Sequence, residues 1–383
     1  MQRGLIGKIR SWVVKGTYFD YPSLFYIIFL TLLGFVMVYS SSSFISYRTY
    51  GNTTHFLNHQ FMFASMGFIG MFFVSHIKYQ KLKYLTFIAI GIEFVLVVIV
   101  LFIGVAVNGS ARWLGVGGMS FQPSEIAKLV IILYMAYACN DRQEMLYTFK
   151  DTVKLFIPVG ILVVPIAVEN LSTAVICASI AVGVWFVATP RVQYLVPIGI
   201  AGAAVIAMFI FGRGYRSDRI TAWLNPEASE KGYQTLQSLY AIGSGGLFGR
   251  GLGQSLQKMG SIPEAQNDMI FSVICEELGI VGAVGIILVF IFMLWRFKFI
   301  AEGAPDRYGS LIVVGIIVHV AAQVVINMCV VTNIFPNTGV TLPFISYGGT
   351  SIFFLMVEMG LLLAVSRQIE PAGSRREKVR REA

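Results

Sequence analysis

Residues 269–295 read MIFSVICEELGIVGAVGIILVFIFMLW. Only Glu276 and Glu277 interrupt the apolar run, which exceeds the roughly 20 residues a helix needs to cross bilayer hydrocarbon. Chain facing lipid must satisfy its own backbone hydrogen bonds, so such a run is helical. The same reading gives further apolar runs at about Tyr21–Ser41, Gln60–Ser75, Tyr84–Gly104, Ser124–Cys139, Val153–Val168, Leu171–Ala188, Tyr194–Gly212, Tyr308–Val331 and Ser346–Ser366. The fifth and sixth spans are parted only by Glu169 and Asn170. The sequence predicts an all-α polytopic membrane protein of ten transmembrane helices. It forms one domain over 1–383, with a 1–20 leading segment, a long extracellular loop at 213–268 between helices 7 and 8, and a 367–383 tail.

Composition agrees. Of 383 residues 56% are hydrophobic and 13% charged, too apolar for a soluble domain of this length. A net charge of +9 in a soluble protein would suggest nucleic acid. Here no nucleic-acid partner is expected, because Lys and Arg anchor membrane helices on the cytoplasmic side. With the N-terminus inside, most of the 29 Lys and Arg residues fall in inner segments. Both termini are therefore expected in the cytoplasm of a bacterial cell, with the basic tail Arg375–Arg381 touching anionic membrane lipid. Arg3, Lys8, Arg10 and Lys15 precede an apolar run too long for a signal peptide, so the first helix reads as uncleaved. Cys139, Cys177, Cys275 and Cys329 show no zinc or disulfide spacing, and His55, His59, His76 and His319 are scattered. No internal repeat of the transporter kind is visible.

The loop before residue 269 has its own organisation. In KGYQTLQSLYAIGSGG (231–246), apolar residues recur at near-helical spacing, as in a helix lying along the membrane surface. Glycines follow at 243, 245, 246, 249, 251 and 253, suited to tight turns or simply to a packing loop. At its start, GRGYRSDRI places Arg213, Arg216 and Arg219 at three-residue spacing, on one helical face. Their guanidinium forks suit phosphate oxygens, of a substrate or of any lipid. The loop ends in SIPEAQNDMIF, with Asp268 at the membrane rim. A half-desolvated carboxylate there has a raised pKa and can act as a general base. Asp is equally a favoured N-cap, and the local sequence favours the cap.

Glu276 and Glu277 would lie roughly 12–14 Å into the eighth helix. Glu277 and Glu358 read as polar ties between helices, since intramembrane charges pair or line wet cavities. Glu125 and Lys128, three residues apart, can pair along one helix. They follow a Gly-rich outer loop with an arginine, which points to function.

Five stretches together resemble the SEDS family (shape, elongation, division, sporulation), which includes FtsW, RodA and SpoVE. They are NGSARWLGVGGMSFQPSEIAK (108–128), YRSDRITAWLNP (215–226), GYQTLQSLYAIGSGGLFGRGLGQSLQK (232–258), PEAQNDMIFSVICEELGIVG (263–282) and NTGVTLPFISYGGTS (337–351). GLGQSLQK and EAQND resemble FtsW and SpoVE of Gram-positive bacteria more than RodA. The resemblance implies a peptidoglycan glycosyltransferase that polymerises lipid II at the outer face of the membrane, in division or in septal or spore wall synthesis. It implies Asp268 as the catalytic base. Substrate binding would fall to Arg112, Gln122, Ser124, Glu125, Lys128, Arg216, Arg219, Gln257 and Lys258. It implies as partners lipid II, the nascent glycan on undecaprenyl pyrophosphate, a class B penicillin-binding protein and other divisome proteins. It fixes no cofactor; arginines or a divalent cation, Mg or Mn, would offset the pyrophosphate charge. The family often has His-Thr before the aspartate, where this chain has Gln266-Asn267. A common Pro-Asp-Leu-Gly-Thr stretch is Glu169-Asn170-Leu171-Ser172-Thr173 here, and Asn170 cannot serve as a base. Two alternatives stay open: a lipid II flippase, which needs a cavity through the bilayer, and a non-catalytic scaffold for the penicillin-binding protein.

Overall fold

A computed structural model describes residues 19–107, 110–116, 119–211, 214–228, 232–260 and 262–370. Asp20 opens the fold by accepting from Ser23 N–H at 3.0 Å, with Pro22 in the first turn. Helix α1 (Tyr21–Tyr50) runs past its expected end to Gly51, a left-handed stop at φ 67°. Then come α2 (His55–Ser75) and α3 (Thr86–Ile103). An antiparallel ribbon follows, β1 (Val105–Val107), β2 (Ser110–Val116) and β3 (Met119–Phe121). This small ribbon is the departure from an all-helical chain. It occupies the Gly-rich loop, where neither helical nor strand periodicity was legible.

Helix α4 (Pro123–Asp141) leads to α5 (Phe149–Glu169) and α6 (Leu171–Ala188). The expected split between the last two is real. Asn170 leaves helical geometry (φ −141°, ψ 86°) and caps α6 through Thr173 N–H at 3.2 Å. After α7 (Leu195–Phe211), the outer loop holds α8 (Gly214–Leu224) and α9 (Tyr233–Ser244). The last three helices are α10 (Ile270–Gly303), α11 (Arg307–Val331) and α12 (Gly349–Ser366).

Among the described residues, eight helices are long and apolar enough to cross a membrane, as a polytopic membrane protein requires. The two further expected spans, α4 and α7, fall outside that set. Helix α7 has 17 residues. Helix α4 packs against α3, α6, α11 and α12 and is buried along nearly its whole length, so it meets protein rather than lipid and tolerates Glu125 and Lys128. Small residues set the closest approaches. Helices α2 and α12 touch where a Cβ on Gly360 would lie 2.8 Å from the Met71 carbonyl oxygen.

The eighth expected span differs most from its prediction. Helix α10 breaks at Gly279 (φ 68°, ψ −170°), a conformation open essentially to glycine alone. Residues 280–303 give about 36 Å of helix, enough to cross by themselves. The preceding turns, with Glu276 and Glu277, therefore lie before this continuous helix rather than within it. Ser40, about 29 Å along α1 from Tyr21, meets Glu277 there at 2.7 Å. At the opposite end of α1, Arg296 Nε lies 3.0 Å from Asp20 Oδ1.

Candidate active site

The break in α10 is filled by the glycine-rich part of the outer loop. Ile280 N–H donates to the Gly246 carbonyl at 3.0 Å and Val281 N–H to that of Leu247 at 3.1 Å. In return Arg250 and Gly251 N–H reach the carbonyls of Glu276 and Glu277, each at 2.9 Å. The contact leaves no room for side chains, as a Cβ on Gly249 would sit 2.2 Å from the Glu277 carbonyl oxygen. Glu276 accepts from Leu256 N–H at 3.1 Å, Gln257 N–H at 3.4 Å and the Ser255 hydroxyl. Lys258 Nζ lies 2.7 Å from Glu277 Oε1 and 2.8 Å from Ser40 Oγ.

Thus Lys258 and the main chain of Gln257, both residues expected at substrate, take part in the loop's own anchorage. Lys258 is 6% exposed and lines none of the cavity described next. The tie expected of Glu277 is present, with Lys258 as its partner.

That loop delivers residues 263–268 to a cavity of about 270 Å³ between α2, α4, α6, α11 and α12. Asp268, Asn267, Glu264, Gln122, Glu125 and Lys128 are among its lining residues. Two of the distant sequence stretches therefore meet on one wall system. Lys128 Nζ lies 2.9 Å from Glu125 Oε2, the expected i,i+3 pair, and both are buried. Ser124 stands just outside the cavity, its hydroxyl accepting from Gln122 Nε2 at 2.9 Å.

Asp268 is 7% exposed. Burial pushes its carboxyl up to about 7, with the Glu264 charge acting the same way. Its own N–H, the Arg219 charge and Met269 N–H pull in the opposite direction. Asp268 is not the helix cap that the local sequence favoured. Met269 holds the N-cap position and makes no side-chain capping bond. The carboxylate instead stands in the cavity wall, with Gln234 Nε2 from α9 3.5 Å from Oδ1. Glu264 adopts φ 57°, and Asn267 N–H closes the turn back onto its carbonyl at 2.9 Å.

Arg219 in α8 does not line the cavity but is joined to it. Its Nη1 donates to the Asn337 carbonyl at 3.1 Å, and Asn337 Nδ2 donates to Gln234 Oε1 at 2.9 Å. Arg112 and Arg216 are described by backbone only, in β2 and α8, and Arg213 lies outside the described residues. Asn170, in the place of a family aspartate, lines the cavity while capping α6.

Several site residues were not singled out from the sequence: Gln234, His59, Gln323, Asn337, Thr341 and Tyr347. Four of them line the cavity (His59, Gln323, Thr341 and Tyr347). The stretch 337–351 belongs to the family resemblance, which implies no role for its residues. Its signal is a glycine-rich, weakly apolar link between two spans.

Among the described residues, no group of three or more His, Cys, Asp or Glu side chains could hold a metal ion. Glu125 is committed to Lys128.

Residues 22–370 match the family model FTSW_RODA_SPOVE, described as "Cell cycle protein". The stage V sporulation protein E of Bacillus subtilis is 40% identical over 358 residues, covering 90% of this chain and 97% of that protein. A probable peptidoglycan glycosyltransferase FtsW of Geobacter sp. (strain M18) is 36% identical over 363 residues, covering 92% and 98%. Among solved structures, the rod shape determining protein RodA of Thermus thermophilus superposes with a TM-score of 0.70 at 25% identity, over 92% of this chain and 98% of that one. A chain from a peptidoglycan synthase complex that coordinates polymerization and crosslinking superposes at 0.76, with 24% identity over 92% and 99%, a likeness of fold. With its helices, its broken α10 and its cavity in place, the chain belongs to the FtsW/RodA/SpoVE family.

Proposed function

We propose that this protein is a peptidoglycan glycosyltransferase that polymerises lipid II at the outer face of the cytoplasmic membrane. The observation that carries this reading is the buried Asp268 carboxylate lining one cavity with the Glu125–Lys128 pair. Extension needs a sugar hydroxyl deprotonated beside a departing pyrophosphate. Asp268 takes the proton of the acceptor 4-hydroxyl, a role suited to a carboxyl raised to about 7. The freed oxygen attacks C1 of the donor sugar. The O4–C1 bond forms as the bond from C1 to the pyrophosphate oxygen breaks, and the lipid pyrophosphate leaves with the electron pair. One displacement inverts an α-linked donor to a β-linked product without a covalent enzyme intermediate.

Lys128 is the cavity's own cation and meets the pyrophosphate charge. Arg219 supplies positive field through the Asn337–Gln234 chain. Arg112 and Arg216 are further candidates for phosphate oxygens. The names of the relatives support the activity, and a class B penicillin-binding protein is the partner that would crosslink the product. Termini on the cytoplasmic side agree with the charge distribution.

Purified protein with its cognate partner should convert lipid II to polymer, and Asp268→Ala should abolish this. Polymerisation at the full rate by Asp268→Ala sinks the reading. Transport of labelled lipid II across vesicles without polymer would favour a flippase.

A further inference from the structure

On α11, His319, Gln323 and Asn327 follow one another at four-residue spacing and so stack on one face. They are 1%, 4% and 0% exposed. Their bonds run in series. His319 Nδ1 lies 2.6 Å from Glu358 Oε2 on α12, and Nε2 lies 2.9 Å from Gln323 Oε1. Gln323 Nε2 donates to the Thr341 carbonyl at 2.9 Å. With its amide nitrogen turned to a carbonyl, Gln323 offers its oxygen to His319, so Nε2 of the ring carries a hydrogen.

Asn327 spends both amide hydrogens on carbonyls from two separate segments. Nδ2 reaches the Asp268 carbonyl at 2.8 Å and the Val340 carbonyl at 2.7 Å. Its Oδ1 is sealed in the interior with no partner among the described residues. A buried acceptor left unmade is costly, and an apolar side chain would fill the same space without that cost. An apolar side chain could not hold Asp268 and Val340 together.

We propose that Asn327 is a positioning residue for Asp268. Its amide fixes the main chain of the base against the Val340–Thr341 wall of the cavity, while Gln323 and His319 hold that wall from behind. The inference rests on Asp268 being the base. The bond is to the main chain, so the carboxylate stays free to face substrate. Small displacements of a base have large effects on rate.

The experiment is Asn327→Ala in the full chain with its partner, assayed on purified lipid II for kcat, KM and the pH profile. The expected result is a kcat loss of roughly 10- to 100-fold, since a shift of about 1 Å can cost that much, with a smaller change in KM. The acid limb should also move to lower pH, because loosening the wall admits water to a carboxyl that burial had raised. The charges acting on Asp268 (Glu264 and Arg219) and the other titratable groups lining its cavity (Glu125, Lys128, His59 and Tyr347) are unchanged in this variant. Asn327→Ser, with one donor in place of two, should recover part of kcat, and it carries the same readouts if the alanine variant does not fold. Wild-type kcat and acid limb in either variant overturn the proposal. So does a kcat loss with an unmoved acid limb, which is a loss of folded enzyme alone. Asp268→Asn run alongside separates the two readings. If it polymerises normally, the base assignment fails. If it is dead beside a normal Asn327→Ala, positioning alone fails.

Discussion

Lys258 Nζ and Glu277 Oε1 are 2.7 Å apart, with side chains 5% and 0% exposed. The pair ties the outer loop to the rim of α10 and stands apart from the cavity. Removing one partner of a buried pair leaves a charge uncompensated, which costs ~3–5 kcal/mol. Lys258→Met should therefore lower the melting temperature of the purified protein sharply, while the surviving folded fraction keeps a near-normal KM for lipid II. A normal melting curve with a raised KM would return Lys258 to the substrate.

The Glu125–Lys128 pair should behave otherwise, because it lines the cavity. Lys128→Met alone strands the Glu125 carboxylate and should both destabilise the protein and stop polymerisation. The double variant Glu125→Gln/Lys128→Met removes the stranded charge. It should regain most of the melting temperature and none of the turnover. Recovery of turnover with stability would make the pair a structural tie only.

Asp268 gives the reaction its expected pH dependence. A base must be deprotonated, so kcat/KM should rise with pH through about 7, where burial has placed the carboxyl. The neighbours work in opposite senses. Glu264→Gln removes a charge that raises Asp268 and should shift the acid limb to lower pH. Arg219→Gln removes one that lowers it and should shift the limb to higher pH. For stability the sign is reversed. The folded protein holds this proton between the ordinary carboxyl range and about 7 while the unfolded chain has lost it, so this contribution to stability falls as pH rises across that window. Acid limbs that stay fixed in both variants would remove Asp268 as the titrating group.

The spans were legible because lipid imposes one simple rule, an unbroken apolar run, and α5, α6 and α11 start and stop within a few residues of expectation. Helix α4 was found through its apolar run and its Glu-Lys spacing, though it faces protein rather than lipid. The break in α10 was not legible. Gly279 sits among several glycines of similar appearance, and only the carbonyls of residues 246 and 247, far earlier in the chain, show which one must bend. The site divided in the same way. Glu125 and Lys128 stand out as charges in an apolar run, whereas Asp268 reads locally as a helix cap and is marked as a base only by the family resemblance. Gln234, Asn337 and Asn327 do not stand out, because neutral amides at helix ends and in links look like ordinary capping or turn residues until the partner carbonyls are known.

Gly279 allows a prediction with an internal control on the same helix. Its φ of 68° and ψ of −170° lie where a side chain is strained by ~1–3 kcal/mol. A Cβ there would also meet Gly249 N at 2.3 Å and the Leu247 carbonyl oxygen at 2.5 Å. Both are backbone atoms, which cannot rotate away. Gly285, six residues on in the continuous part of α10, has nothing within 4 Å of an added Cβ. Alanine is favoured there over glycine by roughly 1 kcal/mol of helix propensity. Gly279→Ala should thus release the loop that carries residues 245–258, lowering the melting temperature and abolishing polymerisation. Gly285→Ala should melt at or above wild type and polymerise normally. The comparison is read by thermal melting in detergent and by the lipid II assay on the same preparations. Equal behaviour of the two variants would mean that the bend at Gly279 does not hold the loop over the site.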